Sequence, residues 1–206
     1  MSNLLELEKL SIERLKAFEP DDGYYLAYSG GKDSDVIKIL AQLAGVKFEA
    51  VHNLTTVDAP ETVQYIKSQP DVRISYPEKS MWQLIKEKLL PPTRIMRYCC
   101  PELKEKGGHG KIKVTGVRWS ESPRRKDSAA VINVIGKPKT IQKTATEMGV
   151  DFQVSNLNGL IMNDDNDINR RFVEHCYRTA STLLNPIVDW NNNNVWCNCL
   201  FCQGRQ

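Results

Sequence analysis

Two hundred and six residues suffice for one sizeable domain, and a second would be small. With 41% hydrophobic and 26% charged residues, the chain has the composition of a globular protein that can bury a core. A formal net charge of +3 is too small to argue for a nucleic-acid partner, but its sign suits an anionic small molecule wherever positive charge is local.

The opening MSNLLELEKLSIERLKAF mixes acidic and basic residues and lacks the apolar run and cleavage site of a signal peptide. No run approaches the length of a membrane span, so a cytoplasmic protein with no membrane partner is expected. Leu4, Leu5, Glu8, Ser11, Ile12 and Leu15 predict a first helix, closed before the turn Pro20-Asp21-Asp22-Gly23. Residues 24–28 read as a short strand. Val36, Ile37, Leu40, Leu43 and Ala44 then predict a helix ended by Gly45. KFEAVH at 47–52 predicts a second strand, 59–68 a helix opened by Pro60, and 72–76 a third strand. Residues 81–90 predict a helix cut off by Pro91-Pro92, with further strands at 111–115 and 130–135. Between 137 and 169 the pattern weakens, and MNDDNDIN reads as an exposed loop. Residues 170–184 read as a helix, and the Met and Trp residues as core. Alternating strands and helices predict an α/β fold, a mostly parallel sheet with helices packed on its faces.

Open parallel sheets bind ligands beyond the carboxyl ends of their strands, which is where SGGKDS follows the first strand. Gly30 and Gly31 let the backbone turn tightly and bring successive N–H groups toward one point. The following helix adds its own unpaired N–H groups and the positive end of its dipole. Ser29 and Ser34 offer hydroxyls and Lys32 a cation. Asp33 would repel a phosphate if it pointed inward, so it is expected to cap the helix or hold the loop closed. The string is not a Walker A loop. A plain glycine turn with a lysine in solvent is the bland alternative.

The full string resembles the pyrophosphate loop of the adenine nucleotide alpha-hydrolase-like superfamily. Four further stretches resemble its phosphoadenosine phosphosulfate (PAPS) reductase family: HNLTTVDAPETVQYI at 52–66, YCCPELK at 98–104, TGVRWSESPRR at 115–125, and NPIVDW at 185–190 followed by Val195-Trp196. The resemblance runs from about Tyr24 to Trp196. It implies a Rossmann-like (HUP-type) fold, single-domain, with an irregular C-terminal region. The expected division is an N-terminal helix over 1–20, the nucleotide domain over 21–196 and a Cys-containing tail over 197–206.

It also implies that Ser29, Gly30, Gly31, Lys32, Asp33 and Ser34 hold phosphates, with the 118–125 loop closing over the anionic end. Arg118, Arg124 and Arg125 can make forked contacts to phosphate or sulfate, and Glu121 and Ser122 can orient an arginine or bind a ribose hydroxyl. From charge alone, a solvated basic loop is the alternative reading. Lys32 and Arg118 are the catalytic candidates there, and Lys104 and Lys106 extend the positive field.

Six cysteines in a reducing compartment read as thiols, metal ligands or redox groups. Cys99-Cys100 and Cys199-x-x-Cys202 form a pair of pairs that suits a 4Fe–4S cluster or zinc. The arrangement resembles the cluster ligands of the adenylyl-sulfate (APS) reductase branch. Adjacent ligands are geometrically awkward, however, Cys197 is a further candidate, and unliganded thiols are the third alternative. Cys176 reads as a small buried hydrophobe. His52, His109 and His175 show no metal-ligand spacing. The ECG-type motif carrying the nucleophile of PAPS reductases does not occur, which leaves Cys202 as a weak catalytic substitute.

The resemblance therefore implies an enzyme acting on an adenine nucleotide. With ATP the reaction is adenylylation of an acceptor at the α-phosphorus, with pyrophosphate release and Mg²⁺ as cofactor. With PAPS or APS it is thiol-dependent reduction in sulfur metabolism. The alternative is a non-catalytic nucleotide-binding subunit or interaction module of a sulfur-modification, mobile-element or defence system. Implied partners are the nucleotide, a thiol reductant or partner protein, and a second copy of the chain, with nucleic acid open only as an acceptor.

Overall fold

Side-chain alternation along the first strand sets the layers of the molecule. In the computed structural model, which describes residues 2–155 and 159–203 without the side chains of Ser2, Asn3, Pro138 and residues 199–203, β1 is Tyr24–Ala27. Tyr24 turns to one face, where its hydroxyl donates to Leu15 O of α1 (Ser2–Ala17) at 2.7 Å. Tyr25 turns to the other, against the backbone of Gly107 and Gly108.

From β1 the sheet grows outward through α2 (Lys32–Ala44), β2 (Phe48–Asn53), α3 (Pro60–Lys67) and β3 (Val72–Ser75), each strand parallel to its neighbour. α2 buries Val36, Ile37, Leu40 and Ala41, and ends at Gly45 in the left-handed region. α4 (Met81–Lys88) starts on a reciprocal capping box between Ser80 and Gln83. A π-helical turn, Cys100–Lys104, then leads back to β4 (Lys113–Val114), which pairs in parallel with β1 on its free side. Right-handed crossovers put α2 and α3 on one face and the α4 connection on the other.

The remaining elements are α5 (Pro123–Ser128), β5 (Ile132–Ile135), α6 (Pro138–Glu147), β6 (Gln153–Val154), β7 (Leu160–Met162), α7 (Asp167–Cys176), β8 (Ser181–Leu184) and α8 (Asn192–Gln203). The strand order is β3-β2-β1-β4-β8-β5-β7-β6. The first five strands are parallel and the last three antiparallel, so the expected mostly parallel α/β sheet is present.

Several local expectations are corrected. Residues 170–184 are not one helix: α7 stops at Cys176, and STLL forms β8, inserted between β4 and β5. Thr182 and Leu184 are buried there, and four residues are too few for periodicity to separate strand from helix. The weak stretch after Lys137 holds α6, whose Ile141 and Ala145 face the core, and the fully buried β7. The boundary expected between residues 196 and 197 falls inside α8, which packs on α2. Trp190 is core, but Trp82 and Trp196 are exposed, as is Met96.

The NPIVDW segment works as a clasp. Asn185 donates to Ala130 O at 2.8 Å and accepts from the Thr115 hydroxyl, joining β4, β5 and β8. Pro186 O accepts from Ser11 (3.0 Å) and Arg14 (2.9 Å), and Arg14 grips both oxygens of Asp189. Trp190, fully buried, donates its indole N–H to Ser11 Oγ at 3.1 Å. Helix α1 is thereby bolted to the sheet's carboxyl edge. Trp190→Ala should cost about 3–5 kcal/mol of unfolding free energy, as large-to-small changes at buried aromatics do. Urea denaturation checks this, and a loss below about 1 kcal/mol would mean that the clasp is dispensable.

Candidate functional site

Helices leave β1 and β4 in opposite senses, because β2 lies on one side of β1 while the chain after β4 moves away from it. The crevice at such a switch point is where an open α/β sheet takes its ligand. The SGGKDS loop enters it from β1, and residues 115–122 enter it from β4.

The loop is shaped by close approach. Gly30 has φ +74°, and a Cβ there would lie 2.9 Å from Ile66 Cγ1 of α3, so a side chain is excluded twice over. Gly31 precedes α2 with no side-chain cap. The N–H groups of Gly30, Gly31, Asp33 and Ser34 donate to no backbone carbonyl among the described residues. Ser34 is buried and spends its hydroxyl on Gly31 O at 2.6 Å, while Ser29 donates to Ser34 Oγ at 3.3 Å. The result is a helix N-terminus with several amide donors facing one place and a hydroxyl-braced turn beneath them.

Asp33 points away from that place. Its carboxylate meets Arg118 Nε in an ion pair at 2.9 Å, and Lys32 Nζ lies 3.6 Å from its other oxygen. Arg118 is 1% exposed; it donates to Ser120 Oγ and to Asn192 Oδ1, each at 3.0 Å, and lies 3.9 Å from Glu121, while its Nε meets Asp33 as a charge partner and not in hydrogen-bond geometry. Gly116 permits the approach, since a Cβ there would sit 2.9 Å from Asp33 Cβ. The 118–121 turn rests on the clasp through Trp119 N to Val188 O (2.8 Å) and Ser120 Oγ to Trp190 O (2.9 Å).

Sequence-expected site residues thus fall into two groups. Ser29, Gly30, Gly31, Lys32, Asp33, Ser34 and Arg118 come together at the switch point. Glu121, which ion-pairs with Arg125, and Ser122, the N-cap of α5, follow on the same loop, with Arg124 exposed on α5. His52 is buried, with Nδ1 3.0 Å from Tyr28 O.

The sequence did not single out other parts of the site. Asn192 sits in an asparagine run that reads as a turn, and Gly116 lies within a quoted motif without its own signal. Thr56 has φ +65° at the carboxyl end of β2, and its hydroxyl accepts from Met81 N at 2.9 Å. Asp35 accepts from both Tyr28 and Tyr65; burial, then the Asp35 carboxylate, holds the Tyr28 hydroxyl far above its ordinary pKa. A cleft of about 720 Å³ opens from Gly30 and Lys32 along α2 to Tyr65, walled by Trp196, whose ring centroid is 5.9 Å from Lys32 Nζ.

Among the described residues, no group of three or more His, Cys, Asp or Glu is placed to hold a metal. Cys99 and Cys100 are free thiols at the π-helical turn. The four-cysteine reading also needs Cys199 and Cys202, whose side chains lie outside the described residues.

A glycine loop feeding a helix at the switch point of a mostly parallel sheet places the molecule among the open α/β folds. Residues 23–200 match the phosphoadenosine phosphosulfate reductase domain, and the chain belongs to that family, within the adenine nucleotide alpha-hydrolase-like superfamily. Solved structures similar in fold include Candida glabrata FMN adenylyltransferase in complex with FAD and inorganic pyrophosphate, at 13% identity and TM-score 0.50. The match covers 97% of this chain and 58% of that one. A second structure of the same enzyme matches at 12% identity and TM-score 0.52, over 97% and 56% of the two chains. The chain thus spans little more than half the length of these structures. No curated protein matches it in sequence.

The buried ion pair gives a direct test. Asp33→Asn leaves a buried guanidinium uncompensated and should cost about 3–5 kcal/mol, whereas Asp33→Asn with Arg118→Met should regain much of that loss. Urea denaturation of the two single variants and the double variant measures the coupling. Simply additive losses would mean that the pair does not act as a unit.

Proposed function

We propose that the chain binds ATP across the switch point and transfers its adenylyl group to an acceptor, releasing pyrophosphate. The observation that carries this reading is the run of uncommitted amide donors at Gly30, Gly31, Asp33 and Ser34, opening α2 beside Lys32. Such a loop receives the two phosphates that leave together, and its fixed donors stabilise the charge that builds on them as the bond to the α-phosphorus breaks. Membership of a family named for an adenine-nucleotide substrate supports the nucleotide. The fold is shared with an adenylyltransferase, which agrees with this reaction class.

Arg118 is assigned a positioning role here. Buried and paired, it holds Asp33 out of the phosphate site and so fixes the direction of the loop. Lys32 is the cation nearest the phosphates, and Arg124 and Arg125 stand on α5, directly after the loop that enters the crevice from β4. The left-handed Thr56 places strained backbone at the next strand's carboxyl end, where the base or ribose would lie. The long cleft beside Lys32 is the room for an acceptor.

The carboxylates nearest the loop do not make a metal site of their own. Asp33 is taken by Arg118, and Asp35 by two tyrosine hydroxyls. A magnesium ion would therefore arrive on the nucleotide's phosphates. Thiol-dependent reduction finds less support among the described thiols. Burial raises the pKa of Cys99 and Cys176, and neighbouring Cys100 adds to the rise at Cys99, so the reactive thiolate is disfavoured at both.

Isothermal titration with ATP, and separately with PAPS, tests the nucleotide; pyrophosphate release against sulfite release tests the reaction. Lys32→Ala should weaken ATP binding roughly tenfold to a hundredfold, the worth of a charge-assisted contact of about 1.5–3 kcal/mol. Sulfite release from PAPS without pyrophosphate release from ATP would transfer the assignment to reduction. Binding of neither nucleotide would remove it.

A further inference from the structure

The opposite, amino-terminal edge of the sheet carries a second concentration of positive charge. Lys113 opens β4 with its side chain half buried; its ammonium reaches Glu105 O at 3.5 Å, and burial lowers its pKa from the ordinary lysine value. Beside it a pocket of about 180 Å³ lies between the GGHGK loop and the turn after α7. His109, Lys111, Lys113 and Arg178 line it together with the hydroxyl residues Thr179 and Ser181, and no carboxylate is among the described lining residues. The acids that balance these cations stand outside the lining: Glu49 meets Lys111 at 3.7 Å, Glu105 acts on Lys113, and Asp21 and Asp22 act on Arg178 at longer range.

The loop is held in place. Gly107 and Gly108 lie flat on the Tyr25 ring, where a Cβ would come within 2.1 Å and 2.6 Å of it respectively, so only glycine fits. Tyr25 is fixed in turn by Asn53, which donates to its hydroxyl at 3.1 Å. Lys111 N donates back to Gly108 O at 3.3 Å, while the N–H groups of His109 and Gly110 donate to no carbonyl among the described residues. The Thr179 hydroxyl is spent on Cys176 O at 3.2 Å and Arg178 Nε on the Tyr177 hydroxyl at 2.9 Å, which leaves the terminal nitrogens of Arg178, the charge of Lys113, the Ser181 hydroxyl and the uncommitted amides as donors of the types that oxyanions take.

We propose that this pocket binds a tetrahedral oxyanion, phosphate or sulfate, either free or as the terminal group of a larger ligand. The volume is below the roughly 300–1,000 Å³ of pockets that enclose a whole drug-sized molecule, so only a small anion or the end of a molecule enters. The pocket is separated from the SGGKDS loop by the length of the sheet, and the proposal does not rest on the nucleotide reading.

The test uses the full chain, titrated with sodium phosphate, sodium sulfate and ribose 5-phosphate at constant ionic strength, with sodium chloride as control. The ring signals of the three histidines, followed by NMR, report the site. The His109 signals should move saturably with phosphate and sulfate and not with chloride. Lys113→Met and Arg178→Met should each weaken the effect at least fivefold, and Lys32→Ala, at the opposite edge, should leave it within twofold. Circular dichroism confirms that each variant is folded; if one is not, the other carries the test. Tighter binding of ribose 5-phosphate than of phosphate assigns a terminal group, and equal binding assigns the free ion. Shifts equalled by chloride, or unchanged in the folded Lys113 and Arg178 variants, would overturn the proposal, and so would loss of the effect in Lys32→Ala.

Discussion

The ion pair between Asp33 and Arg118 ties together two loops that leave neighbouring strands in opposite directions. A carboxylate in the first turn of a helix that receives phosphate is a liability, because it lowers the local potential where an anion should bind. Turning that carboxylate onto a buried guanidinium removes the repulsion and supplies the charge partner that Arg118 needs at 1% exposure. Gly116 is the steric condition for the contact, and Ser120 and Asn192 occupy other donors of the guanidinium. The shape of the loop after β1 is therefore a property of three chain segments and not of SGGKDS alone.

Those segments stay in place because the clasp after β8 serves several elements at once. Asn185 bridges β4, β5 and β8; Pro186 and Asp189 take α1; Val188 and Trp190 lend their carbonyls to the 118–121 turn; and Asn192 begins α8. Most of these contacts join residues more than sixty positions apart in the chain. Their value lies less in any one hydrogen bond, each worth about 1 kcal/mol net, than in pairing many of the polar groups that the layer buries together.

How much of this could be read from the chain follows from the range of the interactions. β1, α2, β2, α3 and β3 were legible because each has its own periodicity and turn residues, with Gly45 and Pro60 as punctuation. β8 was not, because STLL is short and its burial comes from strands distant in sequence. The SGGKDS turn into α2 was legible as a string, and the alternative of Asp33 holding the loop closed had a physical reason behind it. In the sequence, Arg118 reads as a forked contact to a ligand's phosphate or sulfate. Only the arrangement of Asp33, Ser120 and Asn192 around it shows that the guanidinium is already occupied. Trp196 likewise reads as core from its type, yet it stands exposed beside Lys32 because α8 lies on α2.

β4 is only two residues long, and this limits how the two edges of the sheet can influence each other. Lys113 belongs to the amino-edge pocket, while Thr115, two residues on, accommodates the clasp. At about 3.3 Å per residue that step is roughly 7 Å, and the bound anions themselves would be farther apart. Two unit charges about 15 Å apart at an effective dielectric near 20 interact by about 1 kcal/mol before screening, and salt reduces this beyond a Debye length of about 8 Å. A field effect between an anion at one edge and a nucleotide at the other is therefore small. Any larger coupling has to be mechanical, through the Thr115–Asn185 contact, because that contact joins the strand rooted in the cationic pocket to the clasp that orients Arg118.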